Sequence, residues 1–208
     1  MQEKEDSPVQ NGITRIKNIG NYRYLIYDDK WRLIIDTINN DTKITYTYYP
    51  DSIVLKYYEN SHSISDVIIY HLNSAGLADS IYGHTKYNIL QPEKRNYNAD
   101  GYLSSKIVYN YVTNDVVNYH AYIISNGNIF YDSIIERTYD TTHLNSIGNE
   151  YMGLSFLGKS SRNPIITEKN TTPWYQKTIN YTYTYDEKNR IKTVSTDGGA
   201  STTAYTYY

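Results

Sequence analysis

The sequence predicts an all-β protein: an antiparallel β-meander of about ten strands, strongly curved or closed into a barrel or half-barrel. Tyr alternates with Thr at period two over stretches such as residues 181–185, which is the pattern of a strand with two different faces. Hairpin signals such as Asn126-Gly127 separate these runs. About ten strands are many for one open twisted sheet, so the count favours curvature or closure.

The two ends of the chain resemble each other, over residues 22–49 and 181–208. Each copy is composed of a strand, an acidic turn, a second strand, a polar turn and a Tyr-rich final strand. Such self-similarity indicates one structural unit used twice. Because alternation puts the rings on one face of each strand, the tyrosines are interpreted first as architecture.

Weaker copies of this unit are predicted in the middle of the chain. Asp100-Gly101 and Asn126-Gly127 each lie between two strand-like runs and are typical of type I′ hairpin turns. A separate region around 140–172 lacks the alternation and has apolar residues near helical spacing; these are Leu144, Ile147, Tyr151 and Leu154. It is predicted to be a short helix followed by a loop that crosses the sheet, packed on the concave side.

Composition indicates one folded domain and excludes several classes of protein. Residues 13–208 are predicted to form a single β-meander domain, and the polar residues 1–12 a flexible tether. With a formal net charge of −2 and no Lys or Arg cluster, nucleic acid is not an expected partner. No apolar run is long enough for a membrane helix, and Tyr with Thr makes a poor lipid-facing band. The chain is therefore expected not to span a membrane.

Two short motifs carry a resemblance to known families. The phrase Tyr-Asp-x-x-x-Arg-Leu/Ile occurs at residues 27–33 and 185–191 and resembles the tyrosine-aspartate repeats of Rhs-type secreted proteins. Together with residues 154–164, these motifs make residues 13–208 similar to a family of lipoprotein domains of porin-like fold from Gram-negative gut bacteria. In the first motif Trp31 stands where the pattern usually has Gly or Asn, which predicts a differently built turn.

The resemblance implies a closed or half-closed barrel, a place in the cell envelope as a periplasmic or surface-exposed lipoprotein, and no catalytic residue. Anchoring would be through a lipidated segment that precedes the present N-terminus. Oligomeric state does not follow from it.

Catalytic and metal-binding chemistry is not predicted. The carboxylates Asp28, Asp29, Asp186 and Glu187 follow a strand and precede Lys and Arg, where acidic side chains cap turns. The five histidines are scattered without metal-type spacing, and Cys is absent, so no thiol chemistry is available. We therefore predict a non-enzyme with no cofactor and no metal.

A Tyr-rich binding surface is the remaining functional prediction. Tyr rings beside Asn, Thr and Asp suit sugars, because they combine a flat apolar face with adaptable polar groups. The candidate ligand-binding residues are Trp174, Tyr175, Trp31, Tyr46, Tyr48, Tyr183 and Tyr205. The predicted function is a non-catalytic envelope module that binds a glycan or another extended polar ligand. Two alternatives stay open: a carrier or chaperone for a small apolar ligand in a curved-sheet cradle, and a structural or adhesive surface protein.

Overall fold

A computed structural model describes residues 14–39, 41–59, 63–84, 89–132 and 134–208. This part of the chain forms sixteen antiparallel strands in a closed barrel, in which each strand pairs with its neighbours in sequence and β1 pairs with β16. The first eight are β1 (Ile16–Ile19), β2 (Arg23–Tyr27), β3 (Leu33–Thr37), β4 (Lys43–Tyr48), β5 (Ser52–Glu59), β6 (Ser63–Leu72), β7 (Ala78–His84) and β8 (Ile89–Tyr97). The second eight are β9 (Leu103–Tyr109), β10 (Val116–Ser125), β11 (Asn128–Asp132), β12 (Ile135–Tyr139), β13 (Ile165–Asn170), β14 (Thr178–Tyr185), β15 (Ile191–Thr196) and β16 (Ser201–Tyr207).

The all-β antiparallel class and the barrel-like closure agree with the sequence prediction, but the count of about ten strands was too low. Several strands have only four or five residues. Others, such as β8, carry charged residues where a half-buried strand would have apolar ones, so apolar alternation does not reveal them. The tether predicted for residues 1–12 lies outside the described residues.

The terminal repeat is confirmed down to its hydrogen bonds. Asp28 Oδ1 accepts from the backbone N–H of Lys30 and Arg32, and its Oδ2 accepts from Arg32 Nε at 2.8 Å. Asp186 makes the same three bonds to Lys188 and Arg190, the last at 2.7 Å. Both acidic residues therefore cap turns, as the sequence predicts.

The same turn recurs in two middle hairpins. Asn73 Oδ1 accepts from the backbone N–H of Leu77, and Asn98 Oδ1 from that of Tyr102. In each of the four turns the fourth residue has a positive φ; these residues are Trp31 (59°), Gly76 (74°), Gly101 (86°) and Asn189 (57°). The prediction of a different turn at Trp31 was wrong, because the Trp adopts the left-handed conformation that Asn or Gly usually supplies.

The two predicted type I′ turns have different outcomes. Asn126 and Gly127 both have positive φ, 51° and 77°, and join β10 to β11 as a two-residue type I′ turn requires. At the other site only Gly101 has a positive φ, so Asp100 does not take part in a type I′ turn. The capped turn that begins at Asn98 replaces it.

Many of the tyrosines face the inside of the barrel. Along β14 the odd-numbered residues, Ile179 and the three tyrosines after it, are partly buried, while the Thr and Asn between them are exposed. On β2, Leu25 is 1% exposed but Tyr24 and Ile26 are 48% and 38% exposed. The lumen is therefore lined by phenol rings, and the alternation predicted from sequence separates lumen from exterior.

Six of these tyrosines form a regular ring. Each lies on an even-numbered strand and donates its hydroxyl to a backbone carbonyl at or next to the start of the preceding strand. The pairs are Tyr27 to Ile16, Tyr48 to Leu33, Tyr97 to Ala78, Tyr139 to Ile129, Tyr183 to Ile165 and Tyr207 to Ile191. We call these residues the tyrosine ring. It surrounds the end of the barrel formed by the connections that follow even-numbered strands.

The long β12–β13 connection closes this end of the barrel. We call residues 141–163 the plug and this end the plug end; the connections that follow odd-numbered strands form the far end. Backbone bonds tie the plug to the wall: Ile16 N–H donates to Tyr151 O, Leu33 N–H to Gly153 O, and Lys159 N–H to Gly101 O. The helix predicted here was wrong, since the only helical turn in the plug is a three-residue 3₁₀ turn, Ser155–Leu157. Residues 165–170 of the region form β13.

The plug supplies part of the hydrophobic core. Leu154 and Phe156 are buried with apolar residues of the wall; those wall residues are Ile16, Leu25, Leu33, Ile53 and Ala78. Phe156 makes edge contacts with the rings of Tyr48 and Tyr70, at centroid distances of 6.3 and 5.2 Å. The segment therefore packs against the concave side of the sheet, as predicted, but does so with irregular backbone and not with a helix.

Candidate functional site

A cavity of about 370 Å³ lies in the lumen between the plug and the wall of β9–β14. Its wall side combines aromatic, charged and aliphatic residues, namely Leu103, Tyr122, Ile129, Arg137, Ile165, Glu168 and Tyr183. Its plug side, together with the adjoining Pro164, has the apolar residues Ile147 and Leu157 and the cation Lys159 beside an equal number of amides and hydroxyls, which belong to Asn145, Asn149, Ser160 and Ser161. We call this cavity the lumen site. A concave pocket with a few convergent polar groups is the usual form of a small-molecule site.

An ion pair joins two neighbouring strands in the wall of the lumen site. Arg137 on β12 and Glu168 on β13 are register neighbours, and Arg137 Nε donates to Glu168 Oε2 at 3.0 Å. Both side chains are mostly buried, at 14% and 24% exposure. A pair held by strand pairing is fixed in place and can present its remaining hydrogen-bonding groups to a ligand at little entropic cost.

Charged side chains face the lumen on six consecutive strands, β8 to β13. They are Glu93, Arg95, Lys106, His120, Asp132, Arg137 and Glu168. Glu93 pairs with both Arg95 and Lys106. With three carboxylates and three cations besides the histidine, this part of the wall is close to neutral. It therefore favours neutral polar ligands over strongly charged ones.

His120 and Asp132 have incomplete hydrogen bonding. His120 Nδ1 lies 3.3 Å from Asp132 Oδ1, yet neither of these buried atoms has a hydrogen-bond partner. Buried polar atoms without partners are uncommon and costly. A small adjustment of either side chain, or a bridging hydroxyl, would satisfy both atoms.

Tyr122 is distinct from the ring tyrosines. It lines the lumen site next to Asp132 in the register of β10 and β11. Among the described residues its hydroxyl has no hydrogen-bond partner, whereas the hydroxyl of Tyr183 donates to Ile165 O at 2.7 Å. Burial, followed by the nearby carboxylates of Asp132 and Glu93, raises the pKa of Tyr122 to about 12. Its phenol therefore stays neutral and can donate a hydrogen bond to a ligand.

The plug amides are held in place by the backbone. Asn145 Nδ2 donates to Ser161 O and its Oδ1 accepts from Ile147 N–H, each at 3.0 Å. Asn149 Nδ2 donates to Gly158 O. The plug side of the site is thus preorganised by bonds within the plug itself.

The residues predicted to bind a ligand do not form one surface. Trp174, 90% exposed, and Tyr175 lie in the β13–β14 connection at the far end. Trp31 lies at the plug end, 5.9 Å from the ring centroids of both Tyr27 and Tyr208. The four others, Tyr46, Tyr48, Tyr183 and Tyr205, face the lumen, and Tyr183 is the one that borders the lumen site. Ligand binding by this set stays a prediction.

Sequence reasoning missed most of the lumen site. Tyr122, Arg137 and Glu168 belong to strands in which every second residue faces the lumen. The available signal in the sequence was a charged side chain within a strand, such as Arg137 in Ile135-Glu136-Arg137. Whether such a side chain faces the lumen or the exterior cannot be decided before the closure of the barrel is known. The plug amides carried no such signal.

No protein-family model and no curated protein matches this sequence. Among solved structures, the fold is similar to that of a porin-like protein from Bacteroides uniformis, with a TM-score of 0.65 and 15% sequence identity over 89% of each chain. At this identity the likeness concerns the fold. Helices of the length and apolar character needed to cross a bilayer are absent from the described residues.

Proposed function

We propose that this chain is a non-catalytic binding module of the bacterial cell envelope that takes a glycan, or a similar extended polar ligand, in the lumen site. The observation that carries the proposal is that Tyr122 lines the same cavity as polar groups that are held in fixed positions. A sugar ring offers an apolar face for the phenol and hydroxyls for the amides and the Arg137–Glu168 pair. This is the combination that polar small-molecule sites use.

A carrier for an apolar ligand has less support. An aliphatic chain in the lumen site would cover the Arg137–Glu168 ion pair and the plug amides without bonding the donors and acceptors that their existing hydrogen bonds leave over, which costs free energy. An adhesive role through strand addition also has less support, because β1 and β16 pair, so the described strands leave no sheet edge to extend.

The envelope location rests on fold likeness. A barrel similar to a porin-like Bacteroides protein is in keeping with an exported protein, and lipid anchoring remains part of the proposal. The outward residues of β14, Thr178, Asn180, Thr182 and Thr184, are exposed and polar. They support a barrel that does not have hydrocarbon all around it.

The test is a glycan array followed by calorimetric titration of any glycan that binds. Tyr122→Leu should weaken binding about tenfold, equivalent to about 1.4 kcal/mol, because it removes the phenol and its hydroxyl. Tyr24→Leu is the matched control, since Tyr24 is 48% exposed on the outside of β2. Equal loss in both variants, or no binding to any common polysaccharide, would contradict the proposal.

A further inference from the structure

The outside of the barrel carries an apolar groove far from the lumen site. Its volume is about 550 Å³, and it crosses β6, β7 and β8 on the half of the barrel near the far end. The lining residues are Val67, Ile69, Tyr82, Gly83, His84, Ile89, Leu90, Pro92 and Tyr111. Ile89 and Tyr111 are 55% and 53% exposed, so the groove opens to the outside.

The apolar surface continues from Tyr111 onto the β9–β10 hairpin. In sequence order its further members are Val112, Val116, Val117, Tyr119 and Ile123, all between 48% and 73% exposed. Tyr119 is paired with Ile107 in the register of β9 and β10, which places both on the outer face. We call the groove together with these residues the apolar face. Contiguous exposed apolar surface of this kind usually marks an interaction site.

The opposite side of the barrel is different. On β14 to β16 the outward hydroxyls bond to one another across the strands, Thr184 to Thr193 at 2.6 Å and Ser195 to Thr202 at 2.8 Å. This side is hydrophilic, and some of its hydroxyl groups already have each other as hydrogen-bond partners. The barrel exterior therefore has two chemically distinct sides.

Two outward lysines lie beside the groove. Lys94 lies on the outside of β8, with Nζ 5.8 Å from the ring centroid of Tyr109, and it opposes Ser80 of β7. The carboxylates of the same strands point inward: Glu93 opposes Ile81 and Asp66 opposes Tyr57. Towards β5, Lys56 adds a second outward cation opposite Val67. Asp115 is an exposed carboxylate in the β9–β10 turn, between Val112 and Val116 of the same face.

This charge pattern decides between partners. A symmetric dimer through the apolar face would bring the Lys56 and Lys94 side chains of both copies together with the two Asp115 carboxylates, so the desolvated interface would hold four of these cations against two carboxylates, and the excess positive charge is repulsive. An anionic lipid bilayer offers an apolar phase for the groove and negative headgroups for the lysines, whose aliphatic stems reach along apolar surface. We propose that the barrel docks sideways, through the apolar face, on the surface of an anionic phospholipid membrane.

Co-sedimentation with vesicles tests the proposal on the whole chain. The protein should bind vesicles of phosphatidylcholine mixed with phosphatidylglycerol and bind pure phosphatidylcholine vesicles much more weakly. Each charge at the surface changes the affinity about fivefold, so Lys94→Glu, a change of two charges, should weaken binding more than tenfold. Lys192→Glu makes the same change in charge at an exposed position on β15 and should have little effect.

The apolar contribution is tested by Ile89→Gln, at a residue that is 55% exposed and so is tolerated by the fold. It should weaken vesicle binding, whereas Thr182→Gln on the polar side should not. Binding that is equal for all four variants, or equal for the two vesicle types, would overturn the proposal. So would a stable dimer that Ile89→Gln dissociates, because the face would then be a contact between copies. None of these outcomes bears on glycan binding in the lumen.

Discussion

Replacing Phe156 by Ala should remove much of the stability that the plug contributes to the barrel. The side chain is 6% exposed and lies in a core cluster that joins plug and wall. Burial and cavity effects for Phe→Ala amount to about 3–5 kcal/mol. The edge contacts with Tyr48 and Tyr70 favour the upper part of that range. A domain of ordinary stability, about 5–15 kcal/mol, would then lose a large part of it.

The chain contains its own control for this experiment. Its other phenylalanine, Phe130, is 43% exposed and contacts one ring, Tyr139, at 5.6 Å. Phe130→Ala should therefore cost about 1 kcal/mol or a little more. Urea denaturation followed by circular dichroism gives both free energies of unfolding. A loss below about 2 kcal/mol for Phe156→Ala, or equal losses for the two variants, would show that the plug does not support the barrel.

Three other predictions concern turns and titration. No atom lies within 4 Å of a Cβ added at Gly76, so a substitution there is affected only by the φ of 74°. Gly76→Ala should therefore lower the free energy of unfolding by about 1 kcal/mol, and Gly76→Asn by clearly less. Equal losses in urea denaturation would contradict a turn shared by the four hairpins. Partial burial acts to raise the pKa of Asp186, but the turn hydrogen bonds and the charge of Arg190 together outweigh it and hold this pKa below its usual value. The stabilisation from Asp186 is therefore complete above about pH 4 and is lost as the pH falls further. Asp186→Asn should thus flatten the acid loss of stability seen by denaturation at each pH, and an unchanged acid profile would refute this. Burial raises the pKa of Tyr207 to about 12, so its contribution to stability is complete below about pH 10 and is lost as the pH rises to about 12. Absorbance at 295 nm should show a late phase of tyrosine ionisation that coincides with loss of the circular dichroism signal. A single ionisation phase near pH 10 with the fold intact would refute this prediction.

The sequence was informative where local chemistry determines structure. The acidic caps at Asp28 and Asp186 and the Asn126-Gly127 hairpin follow from turn preferences alone, and all are present. The strand count failed because the wall of a wide barrel tolerates charge on its inner face, as Glu93 and Arg95 of β8 show. The plug failed as a helix because it is held by bonds to the wall, such as Leu33 N–H to Gly153 O, which cannot be read from its own sequence.

Trp31 shows how tertiary contacts override a local rule. A bulky residue with φ of 59° is strained by about 1–2 kcal/mol, and local reasoning therefore predicted another turn. Its carbonyl accepts a hydrogen bond from Arg15 Nε, and its ring packs beside Tyr27 and Tyr208. These contacts at the plug end offset the backbone strain, so the turn keeps the geometry of its Asn189 counterpart.

The tyrosine ring explains why the chain uses phenols instead of Leu or Phe. At the plug end each ring residue must cover apolar surface and also satisfy a backbone carbonyl near the start of the preceding strand, and Tyr alone among large apolar side chains has a hydroxyl with this reach. Tyr183 belongs to the ring, so its hydroxyl is already engaged at Ile165. Tyr122 borders the same cavity, but its hydroxyl has no partner among the described residues.

If the tyrosines were architectural only, Tyr122→Phe would change neither the free energy of unfolding nor the binding of a ligand. If the lumen site binds a glycan, Tyr122→Phe should leave the free energy of unfolding unchanged and weaken the ligand, while Tyr183→Phe should lower stability by about 1 kcal/mol because it leaves a carbonyl unsatisfied.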